Sequence, residues 1–142
     1  LVGEAGLYVS RINAAKQSRG VRFLVLEGGM NHHLAASGNL GQVIKRNYPV
    51  VAPGHMSVAP DCPATVVGPL CTPLDTLARE SGLPDLRTDD LVAVLHSGAY
   101  GLTASPVNFL SHPWPFEVLV ETGQIEVIDT QNIGDETVSM RA

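Results

Sequence analysis

The sequence predicts a mostly-β domain, a β-sandwich or open Greek-key barrel carrying one short helix. Three observations predict it. Apolar runs are short, rich in Val, Ile and Leu, and closely spaced. Fourteen glycines and ten prolines are spread along 142 residues, which suits frequent turns better than long helices. No internal repeat organises the chain, so solenoids and propellers are set aside.

The elements follow in order. Residues 7–14 and 21–27 flank Ser18-Arg19-Gly20 and read as two antiparallel strands. Gly28-Gly29 ends the second, and residues 30–47 read as a polar, Gly/Asn-rich loop. Val50-Val51 and Thr65–Gly68 are short strands bracketed by Pro49, Pro53, Pro60 and Pro63. Thr72-Pro73-Leu74-Asp75 predicts the start of the one helix, with Thr72 as N-cap, Pro73 first and Asp75 third. Ser81-Gly82-Leu83-Pro84 stops it. Leu91–Leu95 reads as a buried strand. Phe116–Val120 and Gln124–Ile128 flank a Glu121-Thr122-Gly123 hairpin turn, with Glu117, Glu121 and Glu126 facing water. The chain turns polar from Asp129, so residues 1–128 are expected as the β domain and 129–142 as a polar tail.

Composition excludes several classes. Charged residues are 16% and hydrophobic ones 44%, which is a folding composition. No apolar run approaches the ~18–20 residues needed to span a bilayer. The net charge of −5, with only nine Lys and Arg, argues against a nucleic-acid or anionic-membrane surface. Cys62 and Cys71 are the only cysteines, so there is no disulfide framework, although one Cys62–Cys71 bridge stays open. With no signal pattern at Leu1, a reduced cytoplasmic compartment is expected. The start at Leu1, without Met, reads as that of a fragment.

Few residues stand out for chemistry. Gly68-Pro69-Leu70-Cys71 sets a thiol just before the expected helix, where unpaired N–H groups would stabilise a thiolate. A small buried residue is the plain alternative. Ser97-Gly98-Ala99-Tyr100-Gly101 follows a strand and could present a phenol to a ligand, or simply half-bury it. His32-His33 are adjacent and would point to opposite faces of a strand, a poor metal chelate, so no metal is expected.

These stretches together resemble the C-terminal β domain of the fold-type III pyridoxal-phosphate decarboxylases, the diaminopimelate and ornithine decarboxylase group. The resemblance covers residues 1–122 and rests on Phe23–Asn31 (FLVLEGGMN), Val67–Asp75 (VGPLCTPLD), Asp89–Tyr100 (DDLVAVLHSGAY) and Asn108–Val120. In detail it is most similar to the exosortase-associated pyridoxal-dependent decarboxylases. The resemblance implies an alanine-racemase-like C-terminal fold and a preceding TIM barrel of ~250 residues. That barrel would carry the cofactor-anchoring lysine and hold most of the pyridoxal 5′-phosphate. It further implies a homodimer in which Cys71 reaches the partner's site as proton donor and Tyr100 sits beside the cofactor. Thr72 would then be a specificity position and Asp75 a brace of the Cys71 loop, both within the substrate-binding turn.

The substrate would be an amino acid, but the departures matter. After the cysteine, diaminopimelate enzymes carry Glu and ornithine enzymes carry Asp; here stands Thr72. The Arg and Tyr that clamp the distal carboxylate of diaminopimelate are replaced by Ala35 and Asn39. Diaminopimelate is therefore not the expected substrate. A stand-alone β interaction module, or a racemase-like domain, is the alternative reading. Neither Lys16 nor Lys45 lies in a cofactor-lysine pattern, so the chain alone is expected to be inactive.

Overall fold

The computed structural model describes residues 2–128. Their centre is a six-stranded sheet, joined by a separate two-stranded hairpin. The strands are β1 (Tyr8–Ser18), β2 (Val21–Leu26), β3 (Val50–Val51), β4 (Ala64–Val67), β5 (Thr76–Ser81), β6 (Leu91–Val94), β7 (Val118–Glu121) and β8 (Gln124–Val127). The large sheet has the order β3-β6-β1-β2-β4-β5. Every neighbouring pair is antiparallel except β2 and β4, which run parallel across the long 27–63 connection.

The longest strand shapes the sheet. Tyr8–Arg11 pair with β6, whereas Ile12–Ser18 pair with β2. The register shifts between Ile12 and Ala14, a bulge that bends the strand as it passes from one half to the other. Arg19 and Gly20 both take positive φ, 50° and 79°, as a two-residue hairpin turn requires. Ile12, at the bend, is fully buried among Leu24, Leu26, Val66, Leu77, Leu86 and Val92. This core is aliphatic; Tyr8 and Tyr48 pack only against its side.

The expected mostly-β architecture is present, but the expected helix is not. Residues 69–75 form a tight turn and Thr76–Ser81 is strand β5, antiparallel to β4. The supposed capping residues serve that turn instead. Thr72 Oγ1 accepts the Leu74 N–H at 3.2 Å, and Thr76 Oγ1 donates to the Pro73 carbonyl at 3.0 Å. The free edge of β4 offers ladder bonds to the next segment, and extension drops Leu77 and Ala78 into the core. Tertiary pairing outweighs the local preference. The outer edge of β5 is closed by Asn47, whose amide donates to the Arg79 carbonyl at 2.6 Å and accepts its N–H at 3.0 Å.

The β7–β8 hairpin forms as expected, with Thr122 and Gly123 at φ 49° and 81°. Glu121 and Glu126 are exposed and Glu117 is half-buried. Val118, Val120 and Ile125 share a face that stays uncovered among the described residues. The polar tail expected over 129–142 lies outside the described residues.

Candidate active site

Cys71 sits at the outer lip of the 69–75 turn with its thiol exposed, and Cys62 is also a free thiol. No helix begins here, so the helix-terminus argument for a thiolate falls away. Behind the lip, Asp75 is buried at 2% exposure. Its Oδ1 accepts the Met30 N–H at 2.7 Å and its Oδ2 accepts the Leu70 N–H at 2.9 Å. One carboxylate thus ties the Cys71 turn to the turn after β2. A Cβ on Gly29 or Gly68 would overlap that carboxylate, which is why both positions must be glycine. Thr72 is half-buried beside the lip, its hydroxyl already committed to Leu74.

Tyr100 lies on a different loop, 69% exposed and at φ 55°. A left-handed conformation is strained for tyrosine and persists only where the surroundings fix it. Here the fixing comes from residues 33–34. His33 Nδ1 accepts the Ala36 N–H at 3.4 Å, leaving Nε2–H to donate to Ser97 Oγ at 2.9 Å, and Ser97 Oγ donates to the Val94 carbonyl at 2.8 Å. The Leu34 N–H donates to Ser105 Oγ at 2.9 Å, and Ser105 Oγ donates to the Gly101 carbonyl at 2.7 Å. The Tyr100 loop is therefore gripped before and after the tyrosine.

Both grips come from one segment, residues 28–37. Asn31, His33, Ala35, Ala36 and Ser37 are buried within it, so it is a packed strut rather than the surface loop its polarity suggests. Asn39 extends it to the lip: its Nδ2 donates to the Leu74 carbonyl at 3.1 Å and to Ser37 Oγ at 2.7 Å.

Burial lowers the pKa of His33, whose ring stands edge-on to Tyr8 and Tyr48 at 5.8 and 5.5 Å. Burial also lowers that of His32, whose Nε2–H donates to the Pro113 carbonyl at 2.8 Å. Both imidazoles are favoured neutral in the folded chain. Their contribution to stability is complete above the unfolded histidine pKa of about 6.5 and is lost as the pH falls below it. Melting temperature should drop from pH 7 to pH 5, and His33→Gln should flatten that drop while lowering the melting temperature at pH 7. An unaltered pH slope in the variant would remove His33 from the effect.

The sequence singled out Cys71, Thr72, Asp75 and Tyr100, and the structure groups the first three in one turn, with Tyr100 on a second loop held by the same strut. It weighed His33 only as a metal ligand and Ser97 only as a neighbour of Tyr100, and missed the hydrogen bond that joins them. The signal for them was the Ala35-Ala36 pair after the histidines, small residues suited to close packing rather than to a solvated loop.

The family model for the C-terminal sheet domain of pyridoxal-dependent decarboxylases matches residues 2–98. The chain belongs to the pyridoxal-dependent decarboxylases. It is 41% identical to an L-glutamyl-[BtrI acyl-carrier protein] decarboxylase of Niallia circulans, over 98% of this chain and 33% of that protein. It is 28% identical to the diaminopimelate decarboxylase of Bacillus subtilis, over 99% and 31% of the two chains. The crystal structure of Helicobacter pylori diaminopimelate decarboxylase complexed with L-lysine superposes with a TM-score of 0.70 at 30% identity, covering 89% of this chain and 29% of that one. The chain thus spans about a third of the length of its relatives.

The family implies pyridoxal phosphate as cofactor. Cys71 and Tyr100 project outward from loops braced behind them, which fits a group held outside the domain. Lys45 commits its Nζ to the Thr76 carbonyl, and Lys16 lies 5.9 Å over the Phe23 ring on the β1–β2 hairpin. Among the described residues, no helix is long and apolar enough to cross a membrane.

Proposed function

We propose that this chain is the C-terminal part of a pyridoxal-phosphate-dependent carboxy-lyase that removes the α-carboxylate of an amino-acid substrate. A barrel domain precedes it, and the enzyme works as a homodimer whose Cys71 serves the partner's site. The observation that carries the reading is the common strut, which fixes the outward Cys71 lip and the strained Tyr100 loop in one frame. When bound, the cofactor supplies the electron sink for loss of CO₂. Cys71 holds at Sγ the proton that takes the place of the departed carboxylate on the α-carbon. Tyr100 presents its hydroxyl to the cofactor side, and Asp75 holds the Cys71 turn at its depth.

The substrate's far end is uncharged in this reading. Thr72, Ala35 and Asn39 supply no charge where diaminopimelate enzymes set an acid and a carboxylate clamp, and leaving a buried charge unpaired costs ~2–5 kcal/mol. Carbon dioxide release from meso-diaminopimelate by the intact enzyme is accordingly expected to be negligible; robust release would overturn this specificity. The higher identity to the glutamyl-carrier-protein decarboxylase favours a narrower form. α-Decarboxylation needs a free amine and a free α-carboxylate, so a tethered glutamyl group must be joined through its side-chain carboxyl. That carboxyl, as a thioester, is neutral and needs no arginine. The test is CO₂ release by the cofactor-loaded intact enzyme from free amino acids and from L-glutamyl thioesters. Silence with every substrate would overturn the decarboxylase reading.

A further inference from the structure

The segment that continues the strut past Asn39 carries an unusual surface. Val43 is fully exposed and Ile44 is 75% exposed, and Leu74 on the Cys71 turn is 55% exposed. These side chains are held out rather than left loose. Asn39 fastens the start of the segment to the Leu74 carbonyl, Lys45 fastens its middle to the Thr76 carbonyl, and Asn47 fastens its end to both backbone groups of Arg79.

The same stretch gathers cations. Lys45 reaches the Thr76 carbonyl, three residues before the exposed Arg79, and Arg46 is exposed beside Lys45 in the chain; burial and, after it, the Arg79 charge lower the Lys45 pKa, while Asp75 acts against them. None of the three has a carboxylate in salt-bridge range among the described residues, whereas Arg11, Arg22 and Arg87 each have one. In a chain of net charge −5 this is a local reversal of sign. Burying such a cluster permanently against another domain would be costly, so it suits a partner that is itself anionic and comes and goes. The apolar β7–β8 face is the contrast: it lacks cations and suits permanent cover.

We propose that Val43–Arg46, with Leu74 and Arg79, is the docking surface for an acidic acyl-carrier protein, which delivers its tethered aminoacyl group past the Cys71 lip. The proposal rests on the carrier-tethered form of the function. Exposed apolar residues next to unpaired cations match an acidic helix with an apolar stripe, and the charges would act mainly on encounter rate and its salt dependence.

The experiment compares two substrates on the intact, cofactor-loaded enzyme: L-glutamyl-loaded acyl-carrier protein and L-glutamyl-pantetheine. The double reversal Arg46→Glu with Arg79→Glu is expected to lower kcat/KM for the carrier substrate at least tenfold and to abolish its salt dependence. Turnover of glutamyl-pantetheine should stay unchanged, which also shows that the variant folds. Unaltered carrier kinetics, or an equal loss with both substrates, would overturn the docking surface alone. A wild-type enzyme that decarboxylates a free amino acid but neither thioester would overturn the carrier-tethered reading, and the docking surface with it.

Discussion

Replacing Cys71 with alanine in the intact enzyme should lower turnover by about 10²–10⁴-fold, the range expected for loss of a positioned proton donor. The thiol is exposed at the lip and braces nothing, so cofactor loading and melting temperature should stay at wild-type values. That separation is the diagnostic: a chemical defect without a structural one. Steady-state CO₂ release and product analysis would check it. If α-protonation is what the thiol provides, some substrate should also leave by a different product route in the variant. A wild-type rate with a wild-type product profile would remove Cys71 from the mechanism.

Asp75→Ala should produce the opposite pattern, a structural defect with a chemical consequence. It removes the acceptors of two backbone N–H groups, Met30 and Leu70, from a site that is 2% exposed. Lost hydrogen bonds and a polar void should together cost about 2–4 kcal/mol, read by denaturant unfolding. Asp75→Asn keeps the volume but turns one donor toward another, so it should fall between. Gly29→Ala and Gly68→Ala should act in the same direction by displacing the carboxylate. If Asp75 acts on the reaction only by placing Cys71, its rate loss should nearly vanish in a Cys71→Ala background. Additive losses, or a stability within about 0.5 kcal/mol of wild type, would deny it that role.

Much of the fold was legible because sheets announce themselves locally. Val21–Leu26, Val50-Val51, Ala64–Val67 and Leu91–Val94 all show as β-rich runs, and Gly20 and Gly123 mark their turns at the positive φ they adopt. The 72–81 stretch was misread because Thr-Pro-x-Asp is equally the signature of a tight turn. Only the neighbouring β4 edge decides between the two, and that edge is distant information. Cys71 and Tyr100 were legible as chemistry-bearing types in a specific order. Their support was not, because polar residues 30–37 look solvated until their partners at Ser97, Ser105 and Asp75 are known. A buried polar group is indistinguishable from an exposed one in sequence when its satisfaction comes from forty or more residues away.

The aliphatic core gives the molecule a convenient optical property. With the described core free of indole and phenyl rings, the single tryptophan, Trp114, lies on the connection leading to β7, half-buried, its Nε1 donating to Asn108 Oδ1 at 2.9 Å. The neighbouring Pro113 carbonyl is the acceptor for His32. Tryptophan emission therefore watches the seating of this connection against the strut, while far-ultraviolet dichroism watches the sheet. The two signals separate loosening of the site's scaffold from unfolding of the domain in the same cuvette.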